Sequence, residues 1–268
     1  MSLIQVKITG VDGVEWHIAT TGPVARGVML EAVSGLTSKV TRSALARSTG
    51  RGADVGGYVL PEMEGALKLR IFADKQQAQT LGEVYDGILS AVSTTEECAL
   101  DVVDGRGVQW GSNRVLLTTE VDPPTPSPHT IGLRDITIEL PLTILDGALA
   151  RETTWGDPST TQTVKVPNRG SLNTHPTIRW DGKPGRTVTL PTRQNVTLPT
   201  APGWRHLSTD PGTGYVVTDD TGKVDVTTWA AMRGLAVPGL IRPRAATTWT
   251  LPIGVDLILT EYTTNVWR

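Results

Sequence analysis

Cysteine, phenylalanine and histidine are almost missing from this chain of 268 residues, which has one Cys, one Phe and four His. A lone cysteine, Cys98, excludes an internal disulfide and any multi-cysteine metal site. Its setting, Cys98-Ala99-Leu100, is an apolar strand pattern, so it reads as a small buried hydrophobe. His17, His129, His175 and His206 are far apart in sequence, and no two sit at metal-ligand spacing. No apolar run approaches the roughly 20 residues needed to span a bilayer. The opening residues Met1 to Lys7 go straight into alternation, without the basic region and apolar core of a signal peptide, so synthesis in a cytoplasm is expected. Charged residues make up only 19% of the chain and the net charge is −2. That argues against a general affinity for nucleic acid.

The motifs of common enzymes are missing too. There is no phosphate-binding Gly-x-x-x-x-Gly-Lys-Ser/Thr loop and no Gly-x-Ser-x-Gly nucleophile elbow. Gly50-Arg-Gly52-Ala-Asp-Val-Gly56 comes near a dinucleotide fingerprint, but its last gap is one residue too long and no helix follows. Asp219, Asp220 and Asp225 surround Thr221-Gly222-Lys223; the spacing is not that of a calcium loop, and a hairpin turn is the simpler reading. Glu62 with Glu64 and Glu96 with Glu97 read as solvated turn residues rather than acid–base pairs. Asn195-Val-Thr197 matches a glycosylation acceptor that a cytoplasmic chain would not use. The sequence therefore predicts no catalytic residue, no cofactor site and no metal site.

What is present is short strand and tight turn. Ile4, Val6 and Ile8 alternate, Asp12-Gly13 marks a turn, and Val14 to Ile18 resumes, which predicts a hairpin. Val28 to Val33 predicts a strand closed by Ser34-Gly35. Lys39 to Gly57 carries Arg42, Arg47 and Arg51 with four glycines, and reads as a long basic loop or extended hairpin. The single convincing helix is expected at about 74–92. Asp74 and Gln77 would form its capping box, and Leu81, Val84, Tyr85, Ile88, Leu89 and Val92 its apolar stripe. Gly82 and Gly87 interrupt it, so this helix needs a sheet to pack on. Strands are expected at 98–103 and 108–120, and again from Ile131 to Leu145. Between them, Asp122-Pro-Pro-Thr-Pro-Ser-Pro128 predicts an extended spacer.

After residue 150 the texture changes. Six of the eight tryptophans fall here. Short strands are expected at 162–166, 177–180, 187–190, 195–198, 215–218, 249–251 and 255–261, with one helical turn at 228–233. Charge divides as well: residues 1–150 hold 12 Lys/Arg against 18 Asp/Glu, and residues 151–268 hold 13 against 9. Two domains are expected, 1–150 and 151–268. Trp180, Trp204, Trp229 and Trp249 either fill the core of the second or present flat faces to sugar rings. Trp204, Trp229 and Trp249 are the candidate glycan platform.

Three stretches resemble the distal tail (Dit) proteins of long-tailed bacteriophages. They are the opening hairpin with Gly27-Val-Met-Leu-Glu-Ala-Val-Ser-Gly35, the strand–helix–strand unit from Leu67 to Val103, and Val166-Pro-Asn-Arg-Gly170 leading to Thr174-His-Pro-Thr-Ile-Arg-Trp-Asp-Gly182. Leu207-Ser-Thr-Asp210, Tyr215-Val-Val-Thr-Asp-Asp-Thr-Gly222 and Arg233-Gly234 extend the third. The basic stretch at 39–57 and the proline spacer depart from that family. The resemblance implies a mainly β fold with one main helix: an N-terminal β-barrel or sandwich ring domain like a tail tube, plus a C-terminal galectin-like β-sandwich. It further implies a structural protein of the virion, six copies forming a ring between the tail tube protein and the tail-tip hub, with DNA only in transit through the lumen. Arg42, Arg47 and Arg51 are the candidate subunit or tube contact. The alternative is a carbohydrate-binding protein whose C-terminal sandwich grips a host cell-surface glycan.

Overall fold

The computed structural model describes residues 5–20, 25–46 and 53–267. The chain divides into two compact units, residues 1–150 with 263–268, and residues 151–262.

The first unit contains β1 (Gln5–Thr9), β2 (Glu15–Ala19), β3 (Val28–Thr37), β4 (Thr41–Ala46), β5 (Ala53–Val59), β6 (Met63–Phe72), α1 (Leu81–Ser90), β7 (Cys98–Val103), β8 (Gln109–Leu117) and β9 (Asp135–Ile144). β10 (Leu149–Trp155) begins in it. Antiparallel ladders give the strand order β2-β1-β7-β8-β9-β6-β3. Alternation puts Val6, Ile8, Leu67, Leu69, Ile71, Ile136, Ile138 and Leu140 on one buried face. The opening hairpin forms as the pattern requires. Only Gly13 takes a positive φ in its turn (76°), while the Asp12 carboxylate accepts from the Val14 N–H at 2.9 Å. β3 does not stop at Ser34-Gly35. It bulges there and continues to Thr37, because a glycine at φ 68° lets the ladder absorb an extra residue.

Strands β2 and β3 end this order, and among the described residues no ladder joins them. Among the described residues, then, no closure of the sheet into a barrel is seen. Helix α1 packs on β6 and on the short turn Ala25–Gly27 that precedes β3. A Cβ at Gly87 would lie 3.2 Å from the Trp16 indole of β2, and one at Gly82 would run into the His129 ring. The two glycines that weaken the helix therefore allow its close approach. Hairpin β1–β2 is tied to the other end of α1 by the Val11 N–H donating to the Ala91 carbonyl at 3.1 Å.

The helix starts later than Asp74. Its capping box is Thr80–Glu83: Thr80 Oγ1 accepts from the Glu83 N–H at 3.3 Å and Glu83 Oε2 from the Thr80 N–H at 2.7 Å. Asp74 instead caps a separate turn, accepting from the N–H groups of Gln76 and Gln77. The reason is packing. Residues 75–79 (Lys-Gln-Gln-Ala-Gln) offer no apolar stripe to bury, and helical turns without one are marginal in water.

The second unit holds the rest of β10, then β11 (Gln162–Pro167), β12 (Thr177–Trp180), β13 (Thr187–Thr189), β14 (Asn195–Thr197), β15 (Arg205–Ser208), β16 (Val217–Asp219), α2 (Val226–Ala231), β17 (Ala246–Leu251) and β18 (Val255–Thr263). One sheet is four-stranded, β11-β17-β13-β14; the other follows β16-β15-β12-β18-β10. Both line a single core that includes Val166, Ile178, Trp180, Trp249, Leu251 and Leu257. The Val166-Pro-Asn-Arg-Gly170 motif is a structural clamp. Asn168 Nδ2 donates to the carbonyls of Leu172 and Ile241, its Oδ1 accepts from the Gly170 N–H at 2.9 Å, and the buried Glu261 carboxylate accepts from the Arg169 N–H.

Candidate functional site

Strands β4 and β5 form a two-stranded sheet that pairs, among the described residues, only with itself. The register runs from Thr41↔Val59 to Ala46↔Ala53, with a bulge after Ser43. At about 3.3 Å per residue such a hairpin extends about 20 Å. Its base is pinned: Ser38 Oγ donates to the Pro61 carbonyl at 3.2 Å, and the Ser38 N–H to the Thr264 carbonyl at 2.9 Å. An isolated two-stranded ribbon is marginally stable in water, and two free edges are ready templates for another chain. Arg42 lies on β4; Arg47 and Arg51 fall outside the described residues.

On the same unit, the chain leaves β8 and runs beside β9, where the Thr118 N–H donates to the Pro141 carbonyl at 2.9 Å and the hydroxyls of Thr118 and Thr143 lie 2.8 Å apart. Beyond that point the prolines hold it off the sheet. An open groove of about 370 Å³ results, with Pro123, Pro124 and Pro141 in its wall and the exposed carboxylates of Glu120, Asp122 and Glu139 around it. The strand expected from Ile131 starts only at Asp135. Ile131 itself is wholly exposed, since it precedes the first ladder pair with β6, Phe72↔Asp135.

The tryptophans do not make one platform. Trp249 has no exposed surface; it is a core residue, and its Nε1 donates to Thr247 Oγ1 at 2.9 Å. Trp180 is likewise buried. Trp229, on α2, packs against the second core and donates to the Gly214 carbonyl at 3.1 Å. Trp204 is half-buried, with the Arg179 guanidinium 5.1 Å above its ring. Sheet geometry explains the difference: alternate strand positions point inward, and a unit with so little Phe fills its core with Trp.

Charged groups in the second unit brace the fold. Arg179 grips the fully buried Asp256 through two hydrogen bonds, the shorter 2.5 Å. Asp225 caps α2 through the Thr228 N–H and hydroxyl and also receives Arg205 Nε at 2.7 Å. These partners hold its carboxyl well below the usual range. Asp181 is lowered by the Arg186 guanidinium at 2.7 Å. In the first unit Asp104 is also lowered. Burial opposes the shift, but Arg106, the Val108 N–H and the Trp110 indole N–H outweigh it. A depressed folded-state pKa contributes stability that is present above the unfolded value of about 4 and lost as pH falls below it. Urea midpoints should therefore be flat from about pH 7 to 5 and drop steeply below about pH 4. Asp225→Asn should flatten part of that drop.

Asp219 is an ordinary turn residue, accepting from the N–H groups of Thr221 and Lys223, while Asp220 faces His206 at 3.0 Å. Helix α2 begins at Val226, two residues before the expected turn, because Asp225 caps it. No group of three or more His, Cys, Asp or Glu gathers in a metal-holding arrangement among the described residues. None of their helices is long and apolar enough to cross a membrane. Burial pushes the Cys98 thiol up to about 11, and Sγ donates to the Val115 carbonyl at 3.3 Å, so it is a packing group rather than a nucleophile.

No family model and no curated protein matches this sequence. Its fold does match a solved structure. The Dit protein (gp 19.1) of SPP1, described as a paradigm of the hub adsorption apparatus in phages infecting Gram-positive bacteria, superposes with a TM-score of 0.55 at 12% identity. The match covers 97% of this chain and 98% of that one. This chain has the fold of a phage distal tail protein. Two structures of the phage p2 baseplate in its activated conformation, one with Sr and one with Ca, align at TM-score 0.48 and 10% identity over 96% of this chain and 98% of theirs.

Proposed function

We propose that this chain is a structural protein of a phage virion, forming a ring at the distal end of the tail and joining the tail tube to the tail-tip hub. The observation that carries this reading is the fold likeness to the SPP1 Dit protein over almost the full length of both chains. The self-paired hairpin β4–β5 supports it, because a ring of identical copies needs complementary surfaces on different flanks of one subunit. In this reading the first unit is the ring domain and six copies assemble head to tail. DNA crosses the lumen without specific contact. The second unit is a galectin-like sandwich carried by the ring, and the tail tube protein and the hub are the neighbours on either face.

The test is location. Gold-labelled antibody against the purified chain should decorate the tail tip of intact virions, and the protein should remain in washed tails analysed by mass spectrometry. Virions free of the protein would end this reading.

A further inference from the structure

The second unit displays a cluster of arginines without acids, and the first unit a groove of acids without cations. We infer that the turn at 242–245 of one copy, with Arg169 beside it, seats in the groove between the proline segment and β9 of a second copy. This inference rests on the ring reading and names one contact within it.

The arginine cluster is built by one buried side chain. Asn168, 1% exposed, donates from Nδ2 to the carbonyls of Leu172 and Ile241. Its own N–H donates to the Ala245 carbonyl at 2.9 Å, and its carbonyl accepts from the Arg244 N–H at 2.9 Å. Two separate segments are thereby zipped together, and Arg169, Arg242 and Arg244 are brought to one place on the surface. All three are exposed. Arg179, Arg186 and Arg205 of the same unit each hold a carboxylate; among the described residues these three hold none. The turn itself is closed by the Ala245 N–H donating to the Arg242 carbonyl at 3.1 Å. Pro243 fixes its second position, and Arg244 follows at φ 59°. Glycine is the residue that suits a left-handed third position in such a turn. An arginine kept there, against that backbone preference, points to a use for its side chain.

The groove supplies the counterpart. Its lining includes Glu120, Asp122 and Glu139 and no lysine or arginine. All three carboxylates are exposed, and among the described residues no cation pairs with them. Lys68, opposite Glu139 in the β6–β9 ladder, is turned toward Glu31 at 3.5 Å instead. Planar guanidiniums suit carboxylates because both can bond in pairs. Opposite charge also steers encounter, and like charge rejects the wrong pairing. The groove belongs to the first unit and the arginine turn to the second. Each copy can therefore give one half of the contact and take the other, as a head-to-tail ring requires.

Charge reversal in the full chain, followed by mixing, tests this. Two variants are compared with wild type by sedimentation velocity up to about 100 µM: Glu120→Arg with Asp122→Arg and Glu139→Arg, and Arg169→Glu with Arg242→Glu and Arg244→Glu. Each alone sets like charges against each other and should associate at least about tenfold more weakly than wild type. An equimolar mixture restores opposite charge at every alternating contact and should return to within about threefold of wild type. Circular dichroism and thermal midpoints confirm folding. If either triple is unfolded, both are replaced by their neutral Gln and Asn sets. The mixture should then form a heterodimer through its one unaltered pairing, with each set weakened alone. A folded triple that assembles like wild type, or a mixture that recovers nothing, would overturn this contact and leave the ring reading standing. A wild type that stays monomeric up to that concentration overturns it too; virions free of the protein are the separate result that ends the ring reading.

Discussion

Deleting residues 41–59 and bridging Val40 to Leu60 with two glycines should give a folded monomer that no longer assembles. Strands β3 and β6 run side by side to the pair Thr37↔Glu64, and Ser38 Oγ already meets the Pro61 carbonyl at 3.2 Å. The cut ends are therefore close, and a short turn closes them. Among the described residues no ladder in the remaining sheet is lost, because there β4 and β5 pair only with each other. Shortening the connection about threefold lowers the entropy cost of closing the loop by about 1 kcal/mol. The thermal midpoint should stay within about 4 °C of wild type. Association should weaken by about a hundredfold or more, as expected when the central anchor of a standard interface is removed. Native mass spectrometry reads both outcomes in one experiment. A deletion chain that still forms complete rings would show that the hairpin is dispensable.

Trp180→Ala should destabilise the second unit by about 3–5 kcal/mol, the usual cost of truncating a fully buried Trp. The side chain has no exposed surface and its Nε1 donates to the Pro199 carbonyl at 3.0 Å. Truncation would also leave that carbonyl without its indole partner. Native-state hydrogen exchange of the full chain is the suitable measurement because it resolves regions. Peptides covering β12, β15 and β18 should exchange faster by roughly two to four orders of magnitude, while those from β6 and β9 hold their protection. Uniform loss across the chain, or none, would contradict a separate core in the second unit. A tryptophan serving as a sugar platform would show no such effect.

The strand pattern was legible wherever one face is buried and the other wet. Val6/Ile8, Leu67/Leu69/Ile71 and Ile136/Ile138/Leu140 alternate and became ladders. β10 was not, because Arg151-Glu-Thr-Thr-Trp155 is polar on both faces. β15 was equally quiet: four residues, Arg205–Ser208, hold one strongly apolar side chain, Leu207. The helix start was misread because two capping pairs, Asp74/Gln77 and Thr80/Glu83, lie six residues apart, and only burial of Leu81, Val84 and Tyr85 decides between them. Local pattern was equally silent on closure of the sheet, which depends on whether β2 and β3 meet across the chain between them. Of the candidate site, the hairpin was readable as basic, glycine-rich sequence. Its self-pairing was not, since that is a property of what surrounds it. The groove was half readable: four prolines announced an extended segment, but nothing local placed Glu139 beside it. Trp249 could not be told from Trp204 by sequence because both flank turn-rich segments and differ only in inward or outward position.

The last residues rejoin the first unit. Asn265 bridges to Thr37, and the Trp267 indole N–H donates to the Gly35 carbonyl at 2.7 Å. The polypeptide therefore passes between the two units twice, after residue 150 and again after residue 262. A protease that nicks the first crossing leaves the second unit joined covalently only to residues 263–268, which hold to the first unit through noncovalent contacts such as these. A load on that strap is borne by hydrogen bonds to β3 rather than by a second peptide link to residues 1–150. A nicked unit is therefore shed only after that strap peels away.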